Sequence, residues 1–116
     1  MAIYTTLKVY HDTYQLILDL FLFIKEFPRE YKYSLGQDLK NISLELIKNI
    51  YLANKNYQKV AYLEKFLEQF EILKLEISLA TDLKIISLKQ NILLAEKITE
   101  IGKQINGWKK SLKTKT

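Results

Sequence analysis

His11 is the chain's single imidazole, and it stands beside Asp12. A His–carboxylate relay needs both side chains within hydrogen-bond reach, yet neighbouring residues on a helix point about 100° apart. The pair therefore reads as a solvent-facing His with an acidic neighbour, and no Ser has a second His to activate it. Glu64, Glu68 and Glu71 fall on one helical face at i, i+4 and i+7, a spacing that suggests the carboxylates of a bundle metal site. Such sites also require Glu-x-x-His pairs, which this sequence lacks, so the row reads with Lys65 as a solvated stripe. There is no Cys, which removes disulfides and thiolate ligands. Glycine-rich phosphate cradles of the GxGxxG or GxxxxGK kind are absent too. No catalytic residue, no metal and no cofactor is expected, and an enzyme is the least favoured class.

Charge is the stronger signal. The chain has 18 basic and 13 acidic residues, a net +5. Lys103, Lys109, Lys110, Lys113 and Lys115 lie after residue 100 with no acid among them, so the whole excess falls on the last sixteen residues. A basic end favours polyanions such as nucleic acid, or an acidic protein surface. A solubilising helix terminus explains the same lysines equally well. Arg29-Glu30-Tyr31-Lys32-Tyr33 interleaves bases with aromatics, a pattern that can hold phosphates and stack bases, although tyrosines packing a bundle end account for it more simply. Asp19 sits inside the most apolar run of the chain. It is expected to face a wet sector rather than pair with a Lys or Arg across a subunit interface, because buried charge is costly.

These groups need a scaffold, and at 116 residues the chain has the length of one domain, 1–116. With 48% apolar and 27% charged residues it is not a disordered sequence. The apolar period is helical almost throughout. A first helix is predicted over about 6–26, ended by Pro28, which lacks an N–H and disfavours helical geometry at Phe27. Leu7, Tyr10, Tyr14, Ile17, Phe21 and Ile24 form one stripe, expected to face the core. Leu16, Leu20 and Phe23 form a second, expected to face a neighbouring subunit, because two stripes leave a monomer with exposed apolar surface. Trp108, beside Gly107 where another helix can come close, joins them as a candidate interface residue.

The second helix could start at Pro28 or at Ser34, whose Ser34-Leu35-Gly36-Gln37 reads as a capping box; firm helix is expected from Ser34 to about Asn54. A third helix spans about 57–80. A connector over 81–86 and a second capping box, Ser87-Leu88-Lys89-Gln90, introduce a fourth that runs to about Leu112. The fold class is thus all-α, an antiparallel up-down-up-down four-helix bundle. Its longest apolar run, 16–24, is too short for a bilayer and contains Asp19, so no membrane association is expected and a cytoplasmic location is.

Three segments carry a resemblance. Phe27-Pro28-Arg29-Glu30-Tyr31-Lys32-Tyr33-Ser34-Leu35-Gly36-Gln37-Asp38-Leu39 resembles the segment joining the first two helices of the Avd proteins, the accessory variability determinants of diversity-generating retroelements. Residues 80–90 resemble that family's third connector, and 100–111, with Gly107-Trp108-Lys109-Lys110, its closing segment. The resemblance implies a non-catalytic four-helix bundle that assembles as a homo-pentameric barrel. It also implies partners: a reverse transcriptase and its template RNA, with cDNA as a further ligand of the mutagenic copying reaction. Arg29, Lys32, Lys103, Lys109, Lys110 and Lys113 are then the candidate nucleic-acid contacts. A related group encoded in intervening sequences of ribosomal RNA genes shares the bundle. It supports the alternative of an oligomeric protein-interaction adaptor that binds no nucleic acid.

Overall fold

In the computed structural model the described residues are 7–55 and 57–114, with side chains described through Leu112. The chain forms α1 (Lys8–Lys25), the one-turn α2 (Arg29–Lys32), α3 (Leu35–Lys55), α4 (Lys59–Asp82) and α5 (Leu88–Thr114). No strand occurs among the described residues. The four long helices make a rod of 48 × 22 × 22 Å. Each of α1 and α4 packs on α3 and α5, so α1 and α4 occupy opposite corners of the bundle.

The core runs the length of the rod. Leu16, Leu20 and Ile24 meet Leu39, Leu46 and Ile50, then Leu63, Phe66, Phe70 and Leu73, then Leu94, Ile101 and Ile105, all buried. The Phe66 and Phe70 rings lie 5.2 Å apart at its centre. The rotation of α1 differs from expectation. Its inner face is Val9, Thr13, Leu16, Leu20 and Ile24, whereas Tyr14 is half exposed and Ile17 and Phe21 sit at the rim. Leu16 and Leu20 are wholly buried within one chain and so leave the expected subunit interface. Both stripes of α1 are apolar, so periodicity alone could not choose between them. Phe27 chooses: beyond the helix end its ring is buried, on the same side as Leu20 and Ile24.

Thr13 belongs to that inner face with its hydroxyl buried and without a hydrogen-bond partner. An unpaired buried hydroxyl is destabilising, whereas a methyl of like shape is at home there. Thr13→Val should therefore raise stability by about 1 kcal/mol, read as a higher urea midpoint with an unchanged slope. An unchanged or lower midpoint would show that the hydroxyl is satisfied in solution.

The connectors are built differently from one another. Ser34 does not cap α3: its hydroxyl donates back to the Glu30 and Tyr31 carbonyls, at 3.1 and 3.4 Å, and Gln37 donates to Asn41 instead. The expected capping box is therefore absent there. Close packing defines this corner, since a Cβ on Gly36 would stand 3.0 Å from Ile24 and 3.2 Å from the Tyr31 carbonyl. The α4–α5 connector behaves as its sequence predicts. The Ser87 N–H donates to Gln90 Oε1 at 2.9 Å and the Gln90 N–H donates to Ser87 Oγ at 3.1 Å, a closed capping box. Before it, α4 ends with Lys84 at φ 65°, the Lys84 N–H donating to the Thr81 carbonyl and the Ile85 N–H to the Ala80 carbonyl. That is a Schellman ending with a lysine where glycine is usual.

Polar links tie α1 to α5. Asp19 accepts from Lys97, both side chains largely buried, and from Gln15 at 3.3 Å. Its partner lies in the same chain, not across a subunit boundary or in open solvent.

Candidate nucleic-acid interface

The basic end is built on the last turns of α5. Ile105 is buried, and Trp108 and Leu112 are half-buried against the core, which fixes the helix's rotation. Gly102 and Gly107 are accommodated within it; Asn106 Nδ2 donates to the Gly102 carbonyl at 2.9 Å. With that rotation set, Lys103 and Lys110, seven residues apart, project together into solvent. Lys109 turns toward α4, 3.6 Å from Glu64. The backbone of Lys113 continues the helix, while its side chain, like all of Lys115, falls outside the described residues. Cations here also complement the carbonyl end of the helix dipole.

The six candidate contacts do not form one patch. Arg29 and Lys32 lie in α2, at the tip where α5 begins. Lys109 lies 21 residues further along α5, about 30 Å away at 1.5 Å per residue. Lys103, Lys109 and Lys110 share one end, and Arg29 and Lys32 share the other. The former end also receives the α3–α4 turn, as the Lys109–Glu64 pair shows. There Lys59 Nζ donates to the Ala53 and Asn54 carbonyls, both at 2.9 Å, closing the last turn of α3. Tyr57 beside it is fully exposed. In sequence this Lys55-to-Lys59 stretch reads only as a helix break. Its bracketing lysines and central tyrosine were the available signal.

Among the candidate interface residues, Phe23 and Trp108 are half-buried at the margin of the core and Leu16 and Leu20 lie inside it. The large apolar groups left outside are others: Tyr14, Leu18 and Leu22 on α1, Tyr33 after α2, Leu44 on α3, Ile72, Leu75 and Leu79 on α4, Leu83 after it, and Leu88, Ile92 and Leu93 on α5, besides Tyr57.

No relay or metal centre emerges among the described residues. His11 is exposed, with its ring edge-on to Tyr10 at 5.9 Å. Asp12 faces away from any such pairing: Lys8 donates to it at 2.8 Å and Gln104 at 2.6 Å. Burial raises the Asp12 pKa, but the bonds from Lys8 and Gln104 outweigh it and hold the carboxyl below its ordinary value. Of the acidic row on α4, Glu64 faces Lys109 and Glu71 pairs with Lys74 at 2.8 Å, each an exposed ion pair. No group of three or more His, Cys, Asp or Glu that could hold a metal occurs among the described residues. No helix among them is long and apolar enough to cross a membrane.

No curated protein matches the chain closely. A family model described as bAvd-like does, over residues 7–112, from the first turn of α1 to the last of α5. The matched stretch includes the Phe27–Leu39 corner, the capped α4–α5 connector and the Trp108 ending. With the bundle that joins them, they leave one assignment: the chain belongs to the bAvd-like family, the Avd-type proteins associated with diversity-generating retroelements.

Proposed function

We propose that the protein is a non-catalytic accessory subunit of a diversity-generating retroelement. In this reading it binds the reverse transcriptase and its template RNA as a homo-oligomer, a pentamer by the family's pattern, and supports mutagenic cDNA synthesis in the cytoplasm. Family membership supports the retroelement role. The observation that supports the RNA contact is that Lys103 and Lys110 stand side by side in solvent on α5, in the stretch of sequence that carries the chain's positive excess.

The mechanism is phosphate contact with counterion release, in which each lysine holds one backbone phosphate and no base is read. Arg29 and Lys32, at the far tip, provide a second contact that only a longer RNA can span. The error chemistry belongs to the polymerase.

Reversing Lys103, Lys110 and Lys113 together to Glu should weaken binding of a short single-stranded RNA at least tenfold. It should also flatten the log–log salt dependence by about 2, at roughly 0.7 per lost contact. Reversing Arg29 and Lys32 should weaken a long template and spare the short strand. Anisotropy titrations between 50 and 300 mM salt read both. Should the triple reversal leave RNA affinity untouched while polymerase binding persists, the adaptor reading replaces this one.

A further inference from the structure

We propose that Tyr57, at the lysine-bearing tip of the rod, is a platform on which an unpaired base of the RNA stacks, and that Tyr33 serves the same purpose at the opposite tip. The inference rests on the RNA-binding part of the functional reading and names the form of RNA those tips take.

Most aromatic rings among the described residues work inside the bundle. Phe66 and Phe70 fill its core, and Tyr10, Tyr31, Tyr62 and Trp108 pack against the core's margin. Two rings do not. Tyr57 is 105% exposed and Tyr33 75%, and no other described Phe, Tyr or Trp is more than half exposed. The expectation that tyrosines at 31 and 33 pack the bundle end therefore holds for Tyr31 alone. Tyr57 does not hold its own turn either. Lys59 does that through the Ala53 and Asn54 carbonyls, while Lys55 is drawn back onto Tyr51, donating to its hydroxyl at 2.9 Å and lying 5.0 Å over its ring. The Tyr57 ring contributes nothing to the core, and both its faces are open.

The surroundings select the occupant. No acid lies between Glu45 and Glu64 or after Glu100, so the α3–α4 turn and the end of α5 carry only basic charge. Asp12, from the start of α1 at the same end, is taken up by Lys8 and Gln104. The Lys109–Glu64 pair sets α5 against α4. Beyond it each helix has five residues left, to Thr114 and to Lys59, so the two end level and Tyr57 stands just past them. Lys110 is then about 9 Å below Tyr57 along the rod. At the other tip Tyr33 directly follows the single turn that carries Arg29 and Lys32. A lone exposed apolar residue is ordinary. Here the two most exposed rings fall at the two basic tips, and a flat ring among cations suits a polyanion that has flat faces of its own.

Stacking accepts any base, because every base has a π-face, and this agrees with lysines that read no sequence. It does demand an unpaired base. In a duplex the faces of all but the end pairs are covered by their neighbours, so only phosphate attraction remains. The tips thus favour single-stranded stretches over helical ones.

Anisotropy titrations on the full chain test this with a uridine hexamer, an abasic hexamer of the same phosphate count and a blunt sixteen-pair RNA duplex. Tyr57→Ala should weaken the uridine hexamer at least fivefold and leave its log–log salt slope unchanged, because a base contact is lost and no phosphate contact is. The same variant should move the abasic strand and the duplex by less than twofold. Tyr57→Phe keeps the ring and should bind as the wild type does. Tyr33→Ala should weaken a uridine 30-mer more than the hexamer; equal effects on the two overturn the second platform. Circular dichroism and light scattering on Tyr57→Ala should match the wild type. A wild type that binds none of the probes overturns the RNA-binding reading and this inference with it. A wild type that binds them, with Tyr57→Ala weakening all equally or none, overturns the stacking role alone. A smaller particle for Tyr57→Ala overturns it in favour of a protein contact.

Discussion

Leu20→Ala is expected to destabilise the chain by about 3 kcal/mol, a drop of roughly 10–15 °C in Tm, while Leu18→Ala two positions away moves the stability of the separate chain by less than about 0.5 kcal/mol. Leu20 is wholly buried between α1 and the other helices, and its loss leaves a cavity among side chains already packed at crystal density. Leu18 is 45% exposed on the opposite side of the same helix. The contrast measures the rotation of α1 directly. If α1 were turned so that Leu16 and Leu20 faced a neighbour, the two costs would exchange places. Chemical denaturation at low protein concentration separates the outcomes.

The second large effect depends on pH. Glu76 of α4 has one carboxyl oxygen buried without a hydrogen-bond partner. Burial, then the hydrogen bond and charge of Asp38 on α3, push its pKa from 4.5 up to about 8. A carboxyl raised in the folded state keeps its proton there while the unfolded chain releases it above pH 4.5. Stability is therefore full below about pH 4.5 and is lost progressively as the pH rises toward 8. Glu76→Gln removes this titration and leaves an amide able to donate to Asp38. The variant should match the wild type near pH 4 and exceed it at pH 8 by on the order of 1–2 kcal/mol, a figure reduced for the partial solvent access of the site. Urea midpoints at pH 4, 6 and 8 check the claim, and parallel profiles for the two proteins would refute it.

What the sequence made legible follows from the range of each interaction. Helix positions came from local periodicity, and Ser87–Gln90 caps α5 as its residues suggest, because that motif closes within four residues. Ser34–Gln37 carries the same signature and fails, since the chain at Glu30 and Tyr31 turns back and offers Ser34 nearer acceptors. The rotation of α1 is not legible in its sequence, because both its stripes are apolar and the deciding contacts come from distant helices. Lys97, the partner of Asp19, lies 78 residues away and no local rule points to it. The left-handed Lys84 was equally hidden, as lysine gives no sign of positive φ. For the candidate RNA contacts, the sequence showed the charge, and only the fold showed that Arg29 and Lys32 stand at the wrong tip to act with Lys110 on a short strand.

The lengthwise division of this rod has a bearing on traffic. Lys103 and Lys110 mark one tip and Arg29 and Lys32 the other, about 30 Å apart along the bundle. A polyanion shorter than that gap docks at a single tip, whereas one that outreaches it can be laid lengthwise on the helices. The rod would thereby act as a ruler, sorting strands by reach rather than by sequence.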